Sequence, residues 1–170
     1  SNTSVAVAEK VLPSVVGITV TYQVSSIFGG KSTGEATGSG IIVSEDGYIV
    51  TNQHVIDGAS EIEVVINTGK THKAEVVGQD TKTDLAVLKI TPDADEELTA
   101  AVLGDSTLLE VGELAVAIGN PMGMEFSGSV TAGIVSAVNR TMSIENRTYN
   151  LIQTDAAINS GNSGGALINQ

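Results

Sequence analysis

Short runs rich in valine, isoleucine and threonine recur from Val15 to Ile168, and glycine, asparagine or aspartate turns separate them. β-Branched side chains are stiff and pack well on a pleated surface, so runs of this kind suit strands with one buried face. The rhythm predicts an all-β chain, folded as a barrel or a sandwich. Val15 to Val24 reads as the first long strand, after a short helix over Val5 to Val11 that Pro13 ends. Ser25 to Thr37, with Gly29-Gly30 and Gly34, reads as a flexible loop. Gly40 to Ser44 and Tyr48 to Thr51 flank the hairpin signal Asp46-Gly47. Glu61 to Ile66, Thr71 to Val77 and Leu85 to Ile90 complete about six short strands, before an acidic, proline-containing linker over Thr91 to Glu97. Beyond it, Glu113 to Ile118, Ser127 to Val138 (one long strand or a pair), Leu151 to Thr154 and Ala166 to Ile168 repeat the grammar.

Composition narrows the function classes. Only 3% of residues are aromatic, so valine, isoleucine and leucine must fill the core. A formal charge of −12 argues against a nucleic-acid partner, which needs a basic surface. With no cysteine and two histidines, neither a disulfide framework nor a metal site is expected, and nothing implies a cofactor. No segment reaches the roughly 18 uninterrupted apolar residues of a spanning helix. The first residues lack a signal-peptide pattern.

The chemistry concentrates in three stretches. Asn159-Ser160-Gly161-Asn162-Ser163-Gly164-Gly165 places a serine in a glycine-rich turn, Thr51 to Val55 carries His54, and Thr83 to Val87 carries Asp84. Their order, His then Asp then Ser, is that of the chymotrypsin-type triad. A serine hydroxyl is a poor nucleophile at neutral pH and needs a base beside it. Imidazole can take that proton and later pass it to a leaving amine, which assigns His54. A buried carboxylate, Asp84, is expected to fix the tautomer of His54. The glycines permit a tight turn in which Gly161 N–H and Ser163 N–H converge on an oxyanion.

Each residue also has a plainer reading. Ser163 could be an ordinary glycine-loop serine and His54 a partly buried structural histidine. His72 reads as part of a solvated strand or turn. Asp57, Asp80, Asp105 and Asp155 compete with Asp84, but Asp57 suits a turn cap with Gly58, Asp80 a turn before Thr81-Lys82-Thr83, and Asp105 a cap before Ser106. Asp84 stands apart because it precedes the apolar run Leu85 to Ile90, where a strand would hold a carboxylate firmly.

Taken with these motifs, Gly38 to Val43, Tyr48 to Val55, Thr83 to Leu88, Ala117 to Pro121 and Thr154 to Leu167 resemble the HtrA (Do/Deg) serine proteases, over about Val5 to the C-terminus. The resemblance implies a chymotrypsin-like double antiparallel β-barrel. Residues 1–98 would form the N-terminal barrel with its short helix, and 99–170 a partial C-terminal barrel with no PDZ domain. It also implies an ATP-independent, extracytoplasmic bacterial endopeptidase of protein quality control, whether periplasmic, cell-surface or membrane-anchored. Such an enzyme cuts unfolded or misfolded polypeptides, usually after small aliphatic residues, through an acyl-enzyme intermediate, and assembles as a homotrimer. A signal peptide or membrane anchor is expected upstream. Residue by residue, His54, Asp84 and Ser163 fall on the triad, and Gly161, Asn162 and Ser163 on the oxyanion turn. Thr154, Asp155, Ala156, Ala157, Ile158 and Asn159 fall on the first specificity pocket.

A second barrel of this type needs about six strands, and too few follow Ser163 to supply them. An unfinished barrel exposes strand edges, so the chain is expected to be a piece of a longer protein. That opens a rival reading: a catalytically silent peptide-binding or assembly module that captures peptides at an open edge. An esterase elbow fits poorly, since its order is Ser, acid, His on an α/β fold. Met122-Gly123-Met124 is a minor candidate for a pocket or gate, Val5 to Val11 for packing between subunits, and Asn139 and Asn146 for glycosylation sequons.

Overall fold

The computed structural model describes residues 3–120 and 128–170. Helix α1 spans Thr3–Val11, and a 3-10 turn over Leu12–Ser14 carries Pro13 near its start. Eleven strands follow among the described residues: β1 Val15–Ser25, β2 Lys31–Ile42, β3 Tyr48–Thr51, β4 Glu61–Val65, β5 Thr71–Lys73, β6 Glu75–Asp80, β7 Leu85–Lys89, β8 Leu114–Gly119, β9 Ser129–Ile144, β10 Arg147–Thr154 and β11 Ala166–Ile168. A single helical turn, α2, occupies Gln53–Ile56. The all-β expectation holds.

The first seven strands make one antiparallel sheet in the order β5-β4-β1-β2-β3-β7-β6. Its two edge strands, β5 and β6, are consecutive and only Ala74 separates them. A sheet whose opposite edges are joined by one residue must curl back on itself, which shelters edges that would otherwise be unpaired. The expected single strand Thr71 to Val77 is therefore broken at Ala74: its N–H still bonds Ile62 O beside β4, at 2.9 Å, while Glu75 already pairs with Lys89 of β7. The space inside the curl is aliphatic, as the low aromatic content requires. Val16, Ile18, Val20, Ile42, Ile49, Val64, Ile66, Leu88 and Ile90 are all essentially inaccessible to solvent.

The second sheet runs β10-β9-β8-β11. A separate cluster joins it to the chain start, with Ala8 of α1, Val15, Val116, Ile118 and Ala166 packed together. Thus α1 and the first residue of β1 cover the second sheet. No helix of the described residues is long and apolar enough to cross a membrane.

Several expectations need correction. The predicted loop over Ser25 to Thr37 is mostly strand, because β2 pairs with β1 residue for residue from Ser25↔Lys31 to Val15↔Ile41. Its distal part is exposed, so no buried-face alternation marks it in the sequence. β9 is one continuous strand. Glu145 and Asn146, both at positive φ, turn it into β10, so that strand begins at Arg147 rather than Leu151.

The linker is anchored rather than loose. Leu98 enters the first core, and Lys70 bonds Asp93. His72, expected to be solvated, has a side chain only 9% exposed and meets both Glu96 carboxylate oxygens, at 2.8 and 2.9 Å.

Two expectations follow for stability. Ile49 sits opposite Ile42 on one side and Leu88 on the other, fully buried. Ile49→Ala should destabilise the fold by about 2–5 kcal/mol, through lost apolar contact and the cavity left behind. Urea unfolding with an unchanged slope checks this. The carboxyls of Asp80, Asp93 and Asp105 are held below their ordinary 3.8, chiefly by bonds from Lys82 N–H, Lys70 and Thr107 respectively. A lowered folded-state value means stability that is present above 3.8 and lost as pH falls through the lowered values. The urea midpoint should therefore decline below about pH 4 and hold steady just above it.

Candidate active site

His54 owes its orientation to the turn it occupies. Within α2, Gln53, Val55 and Ile56 are buried, which leaves His54 on the solvent side with its side chain 59% exposed. Its ring Nδ1 lies 2.7 Å from Asp84 Oδ2, while its backbone N–H donates to Asp84 Oδ1 at 2.9 Å. A carboxylate only accepts, so Nδ1 carries the hydrogen and Nε2 of the neutral ring is left as an acceptor. The pair thus presents a base.

Asp84 lies just before β7, in a turn rather than in the strand, and its φ is +57°. Aspartate tolerates this left-handed region better than most residues, although it still costs on the order of 1 kcal/mol. Neighbouring donors hold it there: Asn52 Nδ2 and Gln53 N–H both donate to Asp84 O, at 2.9 and 3.1 Å. The expected burial is not found, since the Asp84 side chain is 33% exposed. Its constraint comes from hydrogen bonds on both carboxylate oxygens and on its carbonyl. Asn52 is a contributor that the sequence motifs do not reveal.

The competing aspartates have other partners. Asp57 accepts from Gln53 Nε2, Asp80 from Lys82 N–H and Thr83 Oγ1, and Asp105 from Thr107. Asp155 Oδ1 accepts from Ile134 N–H at 2.7 Å, which ties the segment after β10 to β9.

The serine turn is built on a 3-10 helix over Ser160–Asn162. Asn159 and Asn162 cap it reciprocally: Asn159 Oδ1 accepts from Gly161 N–H at 2.9 Å, and Asn162 Oδ1 accepts from Asn159 N–H at 3.0 Å. In this conformation one of the two expected oxyanion donors, Gly161 N–H, is therefore already bonded. Asn162 Nδ2 donates to Ala157 O, as does Thr131 Oγ1. Thr154 Oγ1 donates to Ile134 O and accepts from Ala156 N–H, and Ala156 is buried. Ile158 stands exposed beside the turn. Thr154 to Asn159 thus forms a hydrogen-bonded wall leading to Ser163. Met122-Gly123-Met124 lies outside the described residues.

The turn is fastened to the first sheet at Ser39, on β2. Ser39 N–H donates to Ser163 O at 2.9 Å, Ser39 Oγ donates to Gly161 O at 3.1 Å, and Thr51 Oγ1 donates to Ser39 O at 2.7 Å. A Cβ on Gly38 would stand 2.6 Å from Val55 and 3.5 Å from Ser163 O. The residue after His54 and the nucleophile candidate therefore border the same glycine. Gly164 is equally confined, with φ +81° and room for a Cβ only 2.2 Å from Ser39 O and 2.4 Å from Thr51 Oγ1. Two open concavities of about 560 Å³ lie elsewhere, beside Ala59 to Ile62 and at Glu96 to Ala100.

The trypsin-like peptidase domain family matches residues 38–170, which contain all three candidate residues. A probable periplasmic serine endoprotease DegP-like of Halomonas elongata is 57% identical over 132 residues, covering 78% of this chain and 27% of that protein. The serine protease Do-like HtrA of Lactococcus lactis subsp. cremoris is 46% identical over 193 residues, covering 99% of this chain and 47% of its own length.

The chain belongs to the HtrA family of serine proteases. Among solved structures, an HtrA-type protease AlgW with tripeptide superposes with a TM-score of 0.83 at 38% identity, over 98% of this chain and 50% of that one. The same protease with decapeptide gives 0.81 at 36%, over 98% and 55%. The HtrA likeness also places the fold: a chymotrypsin-like all-β architecture, with a curled first sheet and a second sheet that is not a full barrel. The chain spans between about a quarter and just over half the length of these relatives and structures.

Gly164→Ala tests the junction that this HtrA-family chain depends on. It forces a side chain onto Ser39 O at positive φ, and should cost about 3 kcal/mol or more. A fall of several degrees in Tm checks it.

Proposed function

We propose that this chain carries the catalytic machinery of a serine endopeptidase, with Ser163 as nucleophile, His54 as general base and acid, and Asp84 as the residue that orients His54. The observation that supports the reading is the doubly bonded His54–Asp84 pair, with Val55 and Ser163 O both bordering Gly38 of β2. In the proposed cycle, Ser163 Oγ attacks the carbonyl carbon of the scissile peptide and its proton passes to His54 Nε2. Asp84 stabilises the imidazolium that results. The C–N bond then breaks as His54 returns the proton to the leaving amine, leaving an acyl-enzyme. Water, activated by the same ring, hydrolyses the ester and restores Ser163.

The oxyanion of each tetrahedral intermediate would be met by Ser163 N–H and by Gly161 N–H, once Asn159 releases the latter. Thr154 to Asn159 would form the wall of the first specificity pocket. Unfolded polypeptides are the proposed substrates, which suits relatives named as endoproteases and solved with peptides. A homotrimer in an extracytoplasmic compartment is the proposed setting, in line with relatives named as periplasmic.

One observation favours a second reading, a catalytically silent peptide-binding module. Asn159 occupies the Gly161 N–H that an oxyanion needs, and losing one such donor costs about 3 kcal/mol of barrier. A fluorophosphonate probe with intact-mass detection separates the two. Catalysis predicts one adduct per chain, abolished by Ser163→Ala and slowed by about 10⁴-fold in Asp84→Asn, where the wrong tautomer is favoured. Unmodified wild-type protein that still binds an unfolded substrate would favour the silent module.

A further inference from the structure

We infer that Ser39 is a positioning residue for the nucleophile, whose hydroxyl holds the peptide groups around Ser163 in register for attack; this rests on the proteolytic reading above. Ser39 is wholly buried, so it is out of a substrate's reach. Buried hydroxyls must be paired, and this one is used in both directions. Oγ donates to Gly161 O at 3.1 Å and accepts from Asn120 N–H at 2.8 Å. The same residue's backbone N–H donates to Ser163 O at 2.9 Å.

The consequence lies in which peptide planes are fixed. The Gly161–Asn162 peptide is held through its carbonyl by Ser39 Oγ. The Ser163–Gly164 peptide is held through its carbonyl by Ser39 N–H. The Asn162–Ser163 peptide, which carries the Ser163 N–H, lies between them, and its own carbonyl accepts from Gly165 N–H at 2.9 Å. Three consecutive planes are thereby pinned, two of them by one residue. The Ser163 N–H is the oxyanion donor that no side chain is shown to occupy, and its direction is opposite to the pinned Asn162 carbonyl. Asn120 extends the link, since it directly follows β8 and is buried. Ser39 therefore joins the first sheet, the end of β8 and the nucleophile turn at one oxygen atom.

Removing that oxygen leaves the backbone bond to Ser163 O in place, but the Gly161–Asn162 plane is then held only by the Asn162 N–H bond to Asn159 O, at 3.2 Å, and Asn120 N–H loses its acceptor. A misplacement of about 1 Å at a reacting group is enough to cost roughly 100-fold in rate. The test is fluorophosphonate labelling of the whole native protein, following rate and final extent by intact mass. Ser39→Ala should label at a rate lowered by about 100-fold, yet still reach one adduct per chain. Its pH profile should match the wild type, because the Ser39 bonds run to Gly161, Ser163, Asn120 and Thr51 rather than to the His54–Asp84 pair. Ser39→Thr, which keeps the hydroxyl, should recover most of the rate.

Mere loss of folded protein would lower the extent rather than the rate, and that pattern would overturn the proposal. So would a Ser39→Ala protein that labels as fast as wild type. If Ser39→Ala does not fold, Ser39→Cys is read in its place, since a thiol fills similar space but donates weakly; a wild-type rate there overturns the proposal equally. Wild-type protein that never labels would instead bring down the proteolytic reading itself, and the role of Ser39 with it.

Discussion

The attachment of the serine turn to β2 is the constraint on which the rest of the site depends. Ser163 is separated from His54 and Asp84 by most of the second sheet in sequence, so only tertiary contact can bring the three stretches together. At the serine turn itself that contact is made by backbone and buried polar groups, while Val15 and Ile41 of the first sheet pack against the apolar cluster of the second. Ser39 donates to Ser163 O and Gly161 O, and Thr51 donates to Ser39 O. Hydrogen bonds have fixed lengths and directions, whereas hydrophobic contact is non-directional. A junction made of the former can hold the serine turn in one definite position. The glycine at 164 follows from the same closeness, because a side chain there would overlap the atoms that make the junction.

The two halves of the molecule contribute differently to that geometry. The curled first sheet buries a continuous aliphatic core, and on its rim α2 leaves His54 outward while its neighbours point in. Asp84 is held by the chain just before β7, through Asn52 and Gln53. His54 and Asp84 therefore sit together on the first sheet. The serine turn comes from the other sheet, whose core is smaller and shared with α1. Its internal order rests on side-chain caps, with Asn159 and Asn162 bonding each other's backbone. Such caps are local and interchangeable with other acceptors. In this conformation Asn159 Oδ1 takes up the Gly161 N–H.

Much of this fold is legible in the amino-acid pattern. The strands around Tyr48 to Thr51, Leu85 to Lys89 and Leu114 to Gly119 are apolar, β-branched and bounded by turn residues, and they lie where the pattern puts them. The distal part of β2 is not legible. Its residues are small, polar and exposed, and only pairing with β1 makes them a strand. His72 and Glu96 mislead for a related reason: a polar stretch reads as solvated until the connection after β7 folds back across it. The bonds of Asn52 to Asp84 O and of Ser39 to Gly161 O are invisible in one dimension, since each spans a long sequence separation.

The strand rhythm, the aliphatic core and the residue types a serine-based hydrolysis needs, in the order His, Asp, Ser, are all written along the chain. Those are matters of composition, periodicity and local turn chemistry, and each is written within a few consecutive residues. Where the sheet closes, at Ala74, and how Asp84 is held, by bonds and a left-handed backbone rather than by burial, emerge only when distant segments pack. So do the bond that fastens the serine turn to Ser39 and the one by which Asn159 takes up Gly161 N–H. These depend on which donors and acceptors meet once distant segments pack, and directional bonds between segments leave no periodic trace along the chain.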